Sequence, residues 1–456
     1  MNNIQTSTLS NKKYTYHILD ALDVEINVHD NPYDLRVEEL FTMAARINKK
    51  RAFLFVSNVL GKHVPIHPKK GLLTGALLAS RFMESVKGLR CSEKERLLSA
   101  FLNESDWESE VPNPFVPPDI HPVVIGFAET ATALGHAFFS CLQKADYFHT
   151  TREELINVKP EVTFEEEHSH ATSHRCYIPP EMIHNEREII LVDDEITTGK
   201  TALNIIKSIQ SKFPRNEYTV VSILDWRSEA HRSQFAKVEQ ELGIKINTVS
   251  LLSGNVLVKQ LREMEEQKPE NRKTETAIKI EMTHLESFFT SSGFSSNTRP
   301  ASYIQESGRF GLNSMQNQEL EQKAFQAAAF LRQKRKGKRT LCLGTGEFMY
   351  LPMKIAAEMG MGVYYQSTTR SPIYIENREG YGARYGLSFP NPEEPEVRHF
   401  VYNIPPGFYD ELFLFFEREV ELKNLEPFFE DLKKTNINLV NLVFFSKSRG
   451  EQHADN

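Results

Sequence analysis

The chain of 456 residues is longer than one ordinary domain, so we expect two domains that each bury a core. Hydrophobic residues make up 40% and charged residues 25%, as in soluble globular proteins, and no run reaches the roughly 18 apolar residues of a membrane helix. The net charge of −7 disfavours a polynucleotide partner and makes a small anionic metabolite the better candidate.

The first residues and the cysteines bear on location and redox state. Residues 1–5 are polar and lack the basic start and apolar core of a secretory signal, so we expect a cytoplasmic protein. The four cysteines are widely spaced and form no CxxC pair, which disfavours a thiolate metal site and a disulfide framework. We expect them to be packing residues.

Residues 1–34 are predicted to form an irregular lead-in to a first domain over residues 35–260. In that domain the hydrophobic spacing predicts helices over 35–47, 71–82 and 131–142, a helix after residue 200, and strands over 53–56, 123–125, 189–192, 218–224 and 244–252. Residues 189–192 are wholly apolar, as in a parallel strand that is buried on both faces. Strands that alternate with helices indicate an α/β fold with a doubly wound parallel sheet.

A linker and a second domain are predicted to follow. Residues 261–299 are charged and then rich in Ser, Thr and Asn, which is typical of an interdomain linker. For a second α/β domain over residues 300–450, the pattern predicts helices over 319–334 and 352–359 and strands over 340–343, 362–366 and 439–445. Residues 451–456 are a tail.

The segment 189–201 carries the strongest chemical signal. An apolar strand is followed by the acidic pair Asp193 and Asp194, by a hydroxyl-rich turn and by a helix. A helix N-terminus binds phosphate through its unsatisfied N–H groups and its partial positive charge, and the two acids can accept hydrogen bonds from a vicinal diol. Phosphate at one end and diol at the other describe a ribose 5-phosphate. Further binding residues are expected to be Glu195, Thr197, Thr198, Gly199, Lys200 and Thr201.

This segment is compatible with two other interpretations on its composition. The ending Gly199-Lys200-Thr201 is that of a nucleoside-triphosphate P-loop, but the GxxxxGK[ST] spacing would require glycine where Asp194 stands. A structural turn whose acids cap the helix stays open. Neighbouring acids followed by Thr-Thr-Gly would be an unusual choice for such a turn.

The segment resembles the ribose-phosphate loop of type I phosphoribosyltransferases. The resemblance implies that Asp193 and Asp194 hold the ribose hydroxyls, and that the turn up to Thr201 holds the 5-phosphate. It also implies a Mg²⁺ ion that is bound mainly by phosphoribosyl pyrophosphate, so no protein metal cage is needed. The sequence departs from the family pattern at Glu195, where an aliphatic residue is usual, so this position is expected to adjust substrate or metal handling.

Two loops upstream are candidates for the rest of such a site. Type I enzymes hold pyrophosphate in a short loop after an earlier strand, and here small residues allow close backbone approach. The candidate residues are Ala128, Glu129, Thr130 and Ala131, although a plain helix N-terminus is the alternative. The segment 61–70 holds five potential cations, of which Lys62 and His63 could complete an anion site. A solvated loop is equally compatible with that segment.

Between the two motifs, residues 148–180 are polar and include a histidine cluster. Type I enzymes keep a flexible loop here that closes over the site and excludes water. The resemblance makes His168, His170, His174 and Arg175 candidates for meeting the departing pyrophosphate or handling an acceptor proton. A zinc site on the H-x-H pattern and an ordinary solvated loop are the alternatives.

The C-terminal domain holds two further candidate loops. The first follows a predicted strand as in a nucleotide or S-adenosylmethionine site, but it fails the GxGxxG pattern because position 349 is methionine. The second combines hydroxyls with a guanidinium, which suits a phosphate or carboxylate, unless it is only a surface turn. The candidate residues are Gly344, Thr345, Gly346 and Glu347 in the first loop and Thr369, Arg370 and Ser371 in the second.

A phosphoribosyltransferase domain followed by the Thr-Arg-Ser-Pro segment 369–372 resembles the phosphoribosyltransferases with a C-terminal TRSP domain, which occur in bacterial tellurite-resistance and stress gene clusters. The resemblance would cover residues 35–450. It implies transfer of 5-phosphoribosyl from phosphoribosyl pyrophosphate to a nitrogenous acceptor, in the synthesis of a nucleoside-like metabolite. A non-catalytic sensor of phosphoribosyl pyrophosphate and a second enzyme in the C-terminal domain stay open. So does the oligomeric state, a homo-oligomer included.

Overall fold

The computed structural model describes residues 12–47, 52–103, 113–165, 173–262, 277–296 and 301–447. The strands are β1 (Lys12–Ile18), β2 (Leu22–Asp30), β3 (Phe41–Ala45), β4 (Phe53–Ser57), β5 (Val123–Gly126), β6 (Asp146–His149), β7 (Val162–Glu165), β8 (Ser173–Cys176), β9 (Ile189–Val192), β10 (Glu195–Ile196), β11 (Glu217–Asp225), β12 (Lys245–Gln260), β13 (Lys279–His284), β14 (Leu312–Asn313), β15 (Thr340–Gly344), β16 (Val363–Ser367), β17 (Gly386–Pro390), β18 (Arg398–Tyr402), β19 (Glu411–Arg418) and β20 (Leu439–Ser446). The α-helices are α1 (Val37–Leu40), α2 (Pro68–Ser85), α3 (Lys94–Leu102), α4 (Ala131–Phe139), α5 (Lys200–Lys212), α6 (Glu229–Leu242), α7 (Ser314–Arg332), α8 (Tyr350–Glu358) and α9 (Glu426–Leu432). Among the helices of the described ranges, none has the length and apolar character to cross a membrane.

The first sheet has the strand order β1-β2-β12-β11-β9-β5-β6-β14, and β10 also pairs with β11. The central strands from β12 to β6 run parallel, whereas β2 and β14 are antiparallel to their neighbours. Helix α4 leads from β5 to β6, and α5 leads from β9 to β11 in the opposite direction along the sheet. The strand order therefore reverses between β5 and β9, and doubly wound sheets bind their ligands at such a switch point.

Residues of β9 alternate between two helix layers, as a parallel strand covered on both faces requires. All of its side chains are buried. Ile190 belongs to the core cluster that contains Leu77 of α2 and Phe138 of α4, whereas Leu191 belongs to the cluster that contains Ile206 of α5. Burial contributes about 1.5–3 kcal/mol for each such side chain. The strand end before Asp193 is thereby held firmly in place.

The second sheet, in the order β13-β20-β19-β15-β16, is parallel throughout. Helix α8 leads from β15 to β16, and α9 leads from β19 to β20 in the opposite direction along the sheet. This sheet therefore has its own switch point between β15 and β19. The predicted fold class, a doubly wound parallel sheet with a second α/β domain, is confirmed.

The two sheets are joined by backbone pairing and by a shared core. Ile66 and Tyr365 exchange backbone hydrogen bonds of 2.9 and 2.8 Å, and the Ser367 amide donates to the carbonyl oxygen of Gly61 at 2.7 Å. The loop before α2 therefore covers the edge strand β16. Ile355 of α8 lies in the same buried cluster as α2 and α4. This packing fixes the C-terminal half against the switch point of the first sheet.

The prediction of an irregular lead-in over residues 1–34 was wrong for residues 12–30. β1 and β2 form a hairpin, and β2 pairs with the second half of β12. The inward side chains of β2, including Val24 and Ile26, are fully buried. Apolar residues at 22, 24, 26 and 28 have the period of 2 that is typical of a strand.

The predicted helix over residues 35–47 was also wrong. Only Val37–Leu40 is helical, and β3 follows at once and pairs antiparallel with β4. The ring of Phe41 packs edge-on against Phe55 at 4.8 Å and against Trp226 at 5.8 Å. Tertiary pairing with an aromatic strand thus overrides the local helical preference.

The segment predicted as a linker contains part of the second sheet. β13 lies within residues 261–299 and runs parallel to β20. Residues 263–276 and 297–300 of the segment, and the predicted tail 451–456, lie outside the described residues. The domain boundaries stay predictions.

Candidate active site

The acidic pair is fixed at the end of β9 by the neighbouring strand β11. The Asp193 amide donates to the carbonyl oxygen of Val221 at 2.9 Å, and the Ile223 amide donates to that of Asp194 at 3.1 Å. The Asp194 amide also donates to the Asp193 carboxylate at 2.9 Å. Both residues are partly buried. Their backbone position is therefore set before any ligand arrives.

The electrostatics of the pair favour a ligand that brings hydroxyls or a cation. Burial raises the pKa of Asp193 well above its ordinary value, and the charge of Asp194 and a hydrogen bond with its side chain add to this shift. Hydrogen-bond donors or a cation would relieve the repulsion between the two carboxylates.

The turn after the pair leads into α5. Gly199 has a φ of +74°, and a Cβ added there would lie 2.4 Å from the ring of Phe235. The position needs glycine both for its backbone conformation and for space. The Lys200 amide donates to the Thr198 hydroxyl at 3.3 Å. The N-terminus of α5, with its partial positive charge, thus follows the acidic pair and this turn.

A second loop leaves β5 beside the acidic pair, because Gly126 and Val192 are paired at the ends of their strands. The Ala128 amide donates to the Thr150 hydroxyl at 2.9 Å, and the Ala128–Glu129 peptide bond is cis. Thr150 also hydrogen-bonds Nδ1 of His174 at 2.8 Å. The backbone of this loop is therefore held in place by the buried hydrogen bonds of Thr150 and His174.

A cation from the loop before α2 contacts the loop that carries the Glu129 carboxylate. The Lys62 ammonium donates to the Thr130 hydroxyl. Glu129 Oε1 is buried and has no hydrogen-bond partner among the described residues. Buried polar atoms are normally hydrogen-bonded, so this oxygen points to a ligand or a cation.

The two loops line one cavity of about 360 Å³, a size suited to a small-molecule ligand. The sequence candidates that line it are Lys62, His63, Ala128, Glu129, Thr130, Asp193, Asp194, Glu195, Thr197, Thr369, Arg370 and Ser371. Ala131, Thr198, Gly199, Lys200 and Thr201 belong to the adjoining turns and helix starts and do not line it. Its other lining residues, which the sequence did not indicate, are Arg46, Leu54, Phe55, Ser57, Leu60, Phe127 and Arg152.

One wall of this cavity is formed by the hairpin of β3 and β4, which we call the hood. Phe55 lines the cavity and stacks on Trp226 with ring centroids 4.9 Å apart. Arg46 follows β3 and also lines the cavity. The sequence did not indicate this wall, because residues 35–47 were predicted to be a helix. Arg152 belongs to none of the sequence motifs, so it was not indicated either.

The Thr-Arg-Ser-Pro segment of the C-terminal half reaches the same cavity. Thr369 exchanges backbone hydrogen bonds of 2.9 and 2.7 Å with Phe400. Beyond it, the Ile47 amide donates to the carbonyl oxygen of Pro372 at 3.1 Å, and the Tyr374 amide donates to that of Ala45 at 2.9 Å. The segment therefore runs along the hood, and Thr369, Arg370 and Ser371 line the cavity.

A second cavity of about 340 Å³ lies beside the first and shares Arg152 and Arg370 with it. Thr345, Gly346 and Glu347 line this second cavity, whereas Gly344 is the last residue of β15. The second cavity thus lies at the switch point of the second sheet.

Glu347 is bound by groups from both halves of the chain. Its Oε2 accepts hydrogen bonds from the Thr151 hydroxyl at 2.6 Å and from the Arg309 guanidinium at 2.9 Å, and its Oε1 accepts one from the Arg152 amide at 2.9 Å. Burial alone would raise the pKa of Glu347, but the charge of Arg309 and these hydrogen bonds lower it below the ordinary range. Glu347 therefore holds the halves together.

Of the histidine cluster, the described residues are His174 and Arg175, and neither lines the first cavity. His168 and His170 lie outside them. His174 is buried, stacks on Phe164 at 5.1 Å and binds Thr150, and Arg175 lines the second cavity. No group of three His, Cys, Asp or Glu side chains in the described ranges could hold a metal ion.

Solved structures with a likeness to the chain include several purine phosphoribosyltransferases. Adenine phosphoribosyl transferase of Trypanosoma brucei, in complex with AMP, pyrophosphate and ribose 5-phosphate, is 13% identical, with 52% of this chain and 86% of that chain covered and a TM-score of 0.28. The adenine enzyme of Rhodothermus marinus is 12% identical (47% and 95% covered, TM-score 0.26), and a hypoxanthine enzyme of Staphylococcus aureus is 12% identical (37% and 70%, TM-score 0.20). Likenesses this weak carry no argument about activity.

No curated protein matches the chain significantly. Family models do: residues 40–255 match the phosphoribosyl transferase model, and residues 306–432 match the TRSP domain that stands C-terminal to that transferase. Both matches agree with the family predicted from Asp193 to Thr201 and from segment 369–372. The chain therefore belongs to the family of phosphoribosyltransferase enzymes in which a TRSP domain follows the transferase domain.

Proposed function

We propose that the chain transfers the 5-phosphoribosyl group of phosphoribosyl pyrophosphate to a nitrogenous acceptor in the first cavity and releases pyrophosphate. One observation carries the proposal. The acidic pair and the loop at Ala128–Thr130 leave neighbouring parallel strands at a switch point and line one cavity. Diol and pyrophosphate binders are thus adjacent, as this substrate requires.

Each loop would bind one part of the substrate. Asp193 and Asp194 accept hydrogen bonds from the ribose hydroxyls, and the turn before α5 binds the 5-phosphate. Lys62 and the loop at Ala128–Thr130 bind the pyrophosphate. The acceptor nitrogen forms a bond to C1 while the C1–O bond breaks, and pyrophosphate leaves with the bonding electrons. Positioning and charge neutralisation account for the catalysis.

The residues present fit a Mg²⁺ ion that arrives with the substrate. Asp193, Asp194 and Glu129 line the cavity, and no described residue hydrogen-bonds Glu129 Oε1. Mg²⁺ takes one or two carboxylates and completes its shell with substrate phosphates and water. When bound, it would neutralise charge on the pyrophosphate.

The C-terminal half supplies part of the same site. Thr369, Arg370 and Ser371 line the cavity, which supports a requirement for both halves in transfer. The resemblance to proteins of tellurite-resistance clusters supports a nucleoside-like metabolite as the product.

Pyrophosphate release from phosphoribosyl pyrophosphate, measured with a panel of acceptor bases, tests the proposal. We expect Asp193→Asn combined with Asp194→Asn to abolish release. Asp119→Asn, a change of the same chemistry at an exposed position, should leave it intact. Tight substrate binding without release by the wild type would instead indicate a sensor of phosphoribosyl pyrophosphate.

A further inference from the structure

The part of the first cavity under the hood carries polar side chains from three separate segments. Arg46 follows β3, His63 lies in the loop before α2, and Ser371 belongs to the Thr-Arg-Ser-Pro segment. Tyr402 connects His63 and Ser371, because its hydroxyl donates to the carbonyl oxygen of Ser371 at 2.8 Å and its ring centroid lies 6.1 Å from that of His63. Arg46 forms a β-bridge with Ile373, whose amide donates to the Tyr402 hydroxyl at 2.9 Å. The fold therefore gathers these groups at one place.

Two of these groups are buried and unsatisfied. His63 is 3% exposed, and neither ring nitrogen has a hydrogen-bond partner among the described residues. Ser371 is 8% exposed, and within the same residues its hydroxyl also has no partner. Burial lowers the pKa of His63 well below its ordinary value, and the charges of Lys62 and Arg46 add to the shift, so the ring is neutral. Buried polar atoms are normally paired, which points to a polar ligand group here.

The charged side chains in the part of the cavity under the hood are positive. Arg46 and Arg370 line it, whereas the acidic lining residues of the cavity belong to the two loops at the sheet edge, which are Glu129 and the segment 193–195. Arg370 faces Glu394 at 3.6 Å, which is too long for a hydrogen bond. Both arginines have partners within the protein and also line the cavity, so each offers a guanidinium group to a ligand. A carboxylate would pair with such a group through two parallel hydrogen bonds.

The adjacent wall is apolar and flat. Leu54, Phe55 and Leu60 line it, and the Phe55 ring lies at 21° to the Trp226 ring that supports it. Such a surface accepts a planar ring by stacking and offers no hydrogen bond.

From this juxtaposition we infer that the acceptor is a planar nitrogen heterocycle that carries a carboxylate. The inference rests on the proposed function, because it assigns the acceptor of that reaction. The heterocycle stacks on Phe55, and its carboxylate pairs with Arg46 and Arg370 and accepts a hydrogen bond from Ser371. Its nitrogen is thereby turned towards C1 of the ribose.

Calorimetric titration of the full chain, loaded with ribose 5-phosphate and Mg²⁺, tests the inference with matched probes. Nicotinate and orotate are compared with their neutral counterparts nicotinamide and uracil. Each carboxylate should bind at least about tenfold more tightly than its counterpart. Arg46→Met and Ser371→Ala should lower this ratio without weakening binding of ribose 5-phosphate. Arg398→Met, which removes an exposed arginine bound to Ser388, should change nothing.

The possible results separate the inference from the proposed function. Equal affinity for the charged and neutral members overturns the inference, and so does a panel in which no member binds at millimolar concentration. A loss of phosphoribosyl pyrophosphate binding in Arg370→Met, with the carboxylate preference kept, would assign Arg370 to pyrophosphate and also overturn it. The proposed function itself fails if the wild type does not bind phosphoribosyl pyrophosphate, or binds it without releasing pyrophosphate in the presence of any acceptor. Circular dichroism of each variant shows that it is folded.

Discussion

The Thr151 hydroxyl donates a hydrogen bond of 2.6 Å to the Glu347 carboxylate. Thr151 follows β6 of the first sheet, and Glu347 belongs to the glycine turn after β15 of the second sheet. Glu347 lines the second cavity, and Arg152, the residue after Thr151, lines both cavities. The relative position of the two switch points therefore depends on a buried charged residue.

Glu347→Gln should destabilise the folded protein. Arg309 is fully buried, and the change removes one of its two hydrogen-bonded carboxylates and leaves Glu417 at 3.2 Å and Glu153 at 3.8 Å. Breaking a buried ion pair on one side costs about 3–5 kcal/mol, which thermal or urea unfolding would measure. Glu394→Gln, which removes a half-exposed carboxylate 3.6 Å from Arg370, should cost less than about 1 kcal/mol. Equal effects of the two changes would contradict the structural role of Glu347.

The pH dependence of this difference is a separate prediction. The pKa of Glu347 is lowered from its ordinary value of 4.5, so its stabilising contribution is complete above that pH and is lost as the pH falls through the folded-state value. The stability gap between wild type and Glu347→Gln should be constant from neutral pH down to about pH 5 and shrink below about pH 4.5. Urea unfolding across this range measures it. A gap that widens in acid would show that the carboxylate is not ionised in the fold.

Asp193→Asn should stabilise the protein while it weakens substrate binding. The pKa of Asp193 is raised by burial and by Asp194, so above its ordinary pKa the ionised carboxylate opposes folding. The amide removes this penalty, and we expect a gain of about 0.5–2 kcal/mol, as is common when a functional site is relaxed. The gain should disappear below the ordinary pKa of aspartate, where the unfolded chain is also protonated. A destabilised Asp193→Asn variant would contradict the electrostatic account of the pair.

Gly199→Ala should impair binding of the 5-phosphate. The residue adopts a φ of +74°, which is strained by about 1 kcal/mol for alanine, and the added Cβ would meet the Phe235 ring. The turn must shift, so the amides at the start of α5 lose their alignment. Affinity for ribose 5-phosphate should fall at least about tenfold. Gly243→Ala, at another positive φ but with open space around the Cβ, gives the matched control for backbone strain. Equal losses in both variants would rule out a local effect on the phosphate turn.

The sequence predicts the parts of the fold that depend on local pattern. The apolar run at 189–192 and the periodic helix behind it indicate a strand and helix that cover each other, and they form β9 and α5. The loop between them contains Asp193 and Thr197, which both line the cavity. These features are encoded within a few residues of each other, so they are visible without the tertiary structure.

The rest of the site depends on contacts between distant segments. Arg46 reaches the cavity only because β3 pairs with β4 instead of extending α1, and Phe41 packs against Trp226, which is 185 positions away in the chain (226 − 41). Arg370 was a candidate for the C-terminal domain alone, yet it lines the cavity of the first domain. Its segment lies along the hood through backbone bonds, which have no side-chain signature in the sequence.

Calorimetric titration with phosphoribosyl pyrophosphate, with and without Mg²⁺, tests the central claim most directly. The protein and the double variant Asp193→Asn with Asp194→Asn are compared, with Asp119→Asn as control. We predict Mg²⁺-dependent binding by the wild type and the control, and at least about a hundredfold loss in the double variant, since two charge-assisted contacts are removed. Wild-type affinity in a folded double variant would contradict the assignment of this cavity to the phosphoribosyl group.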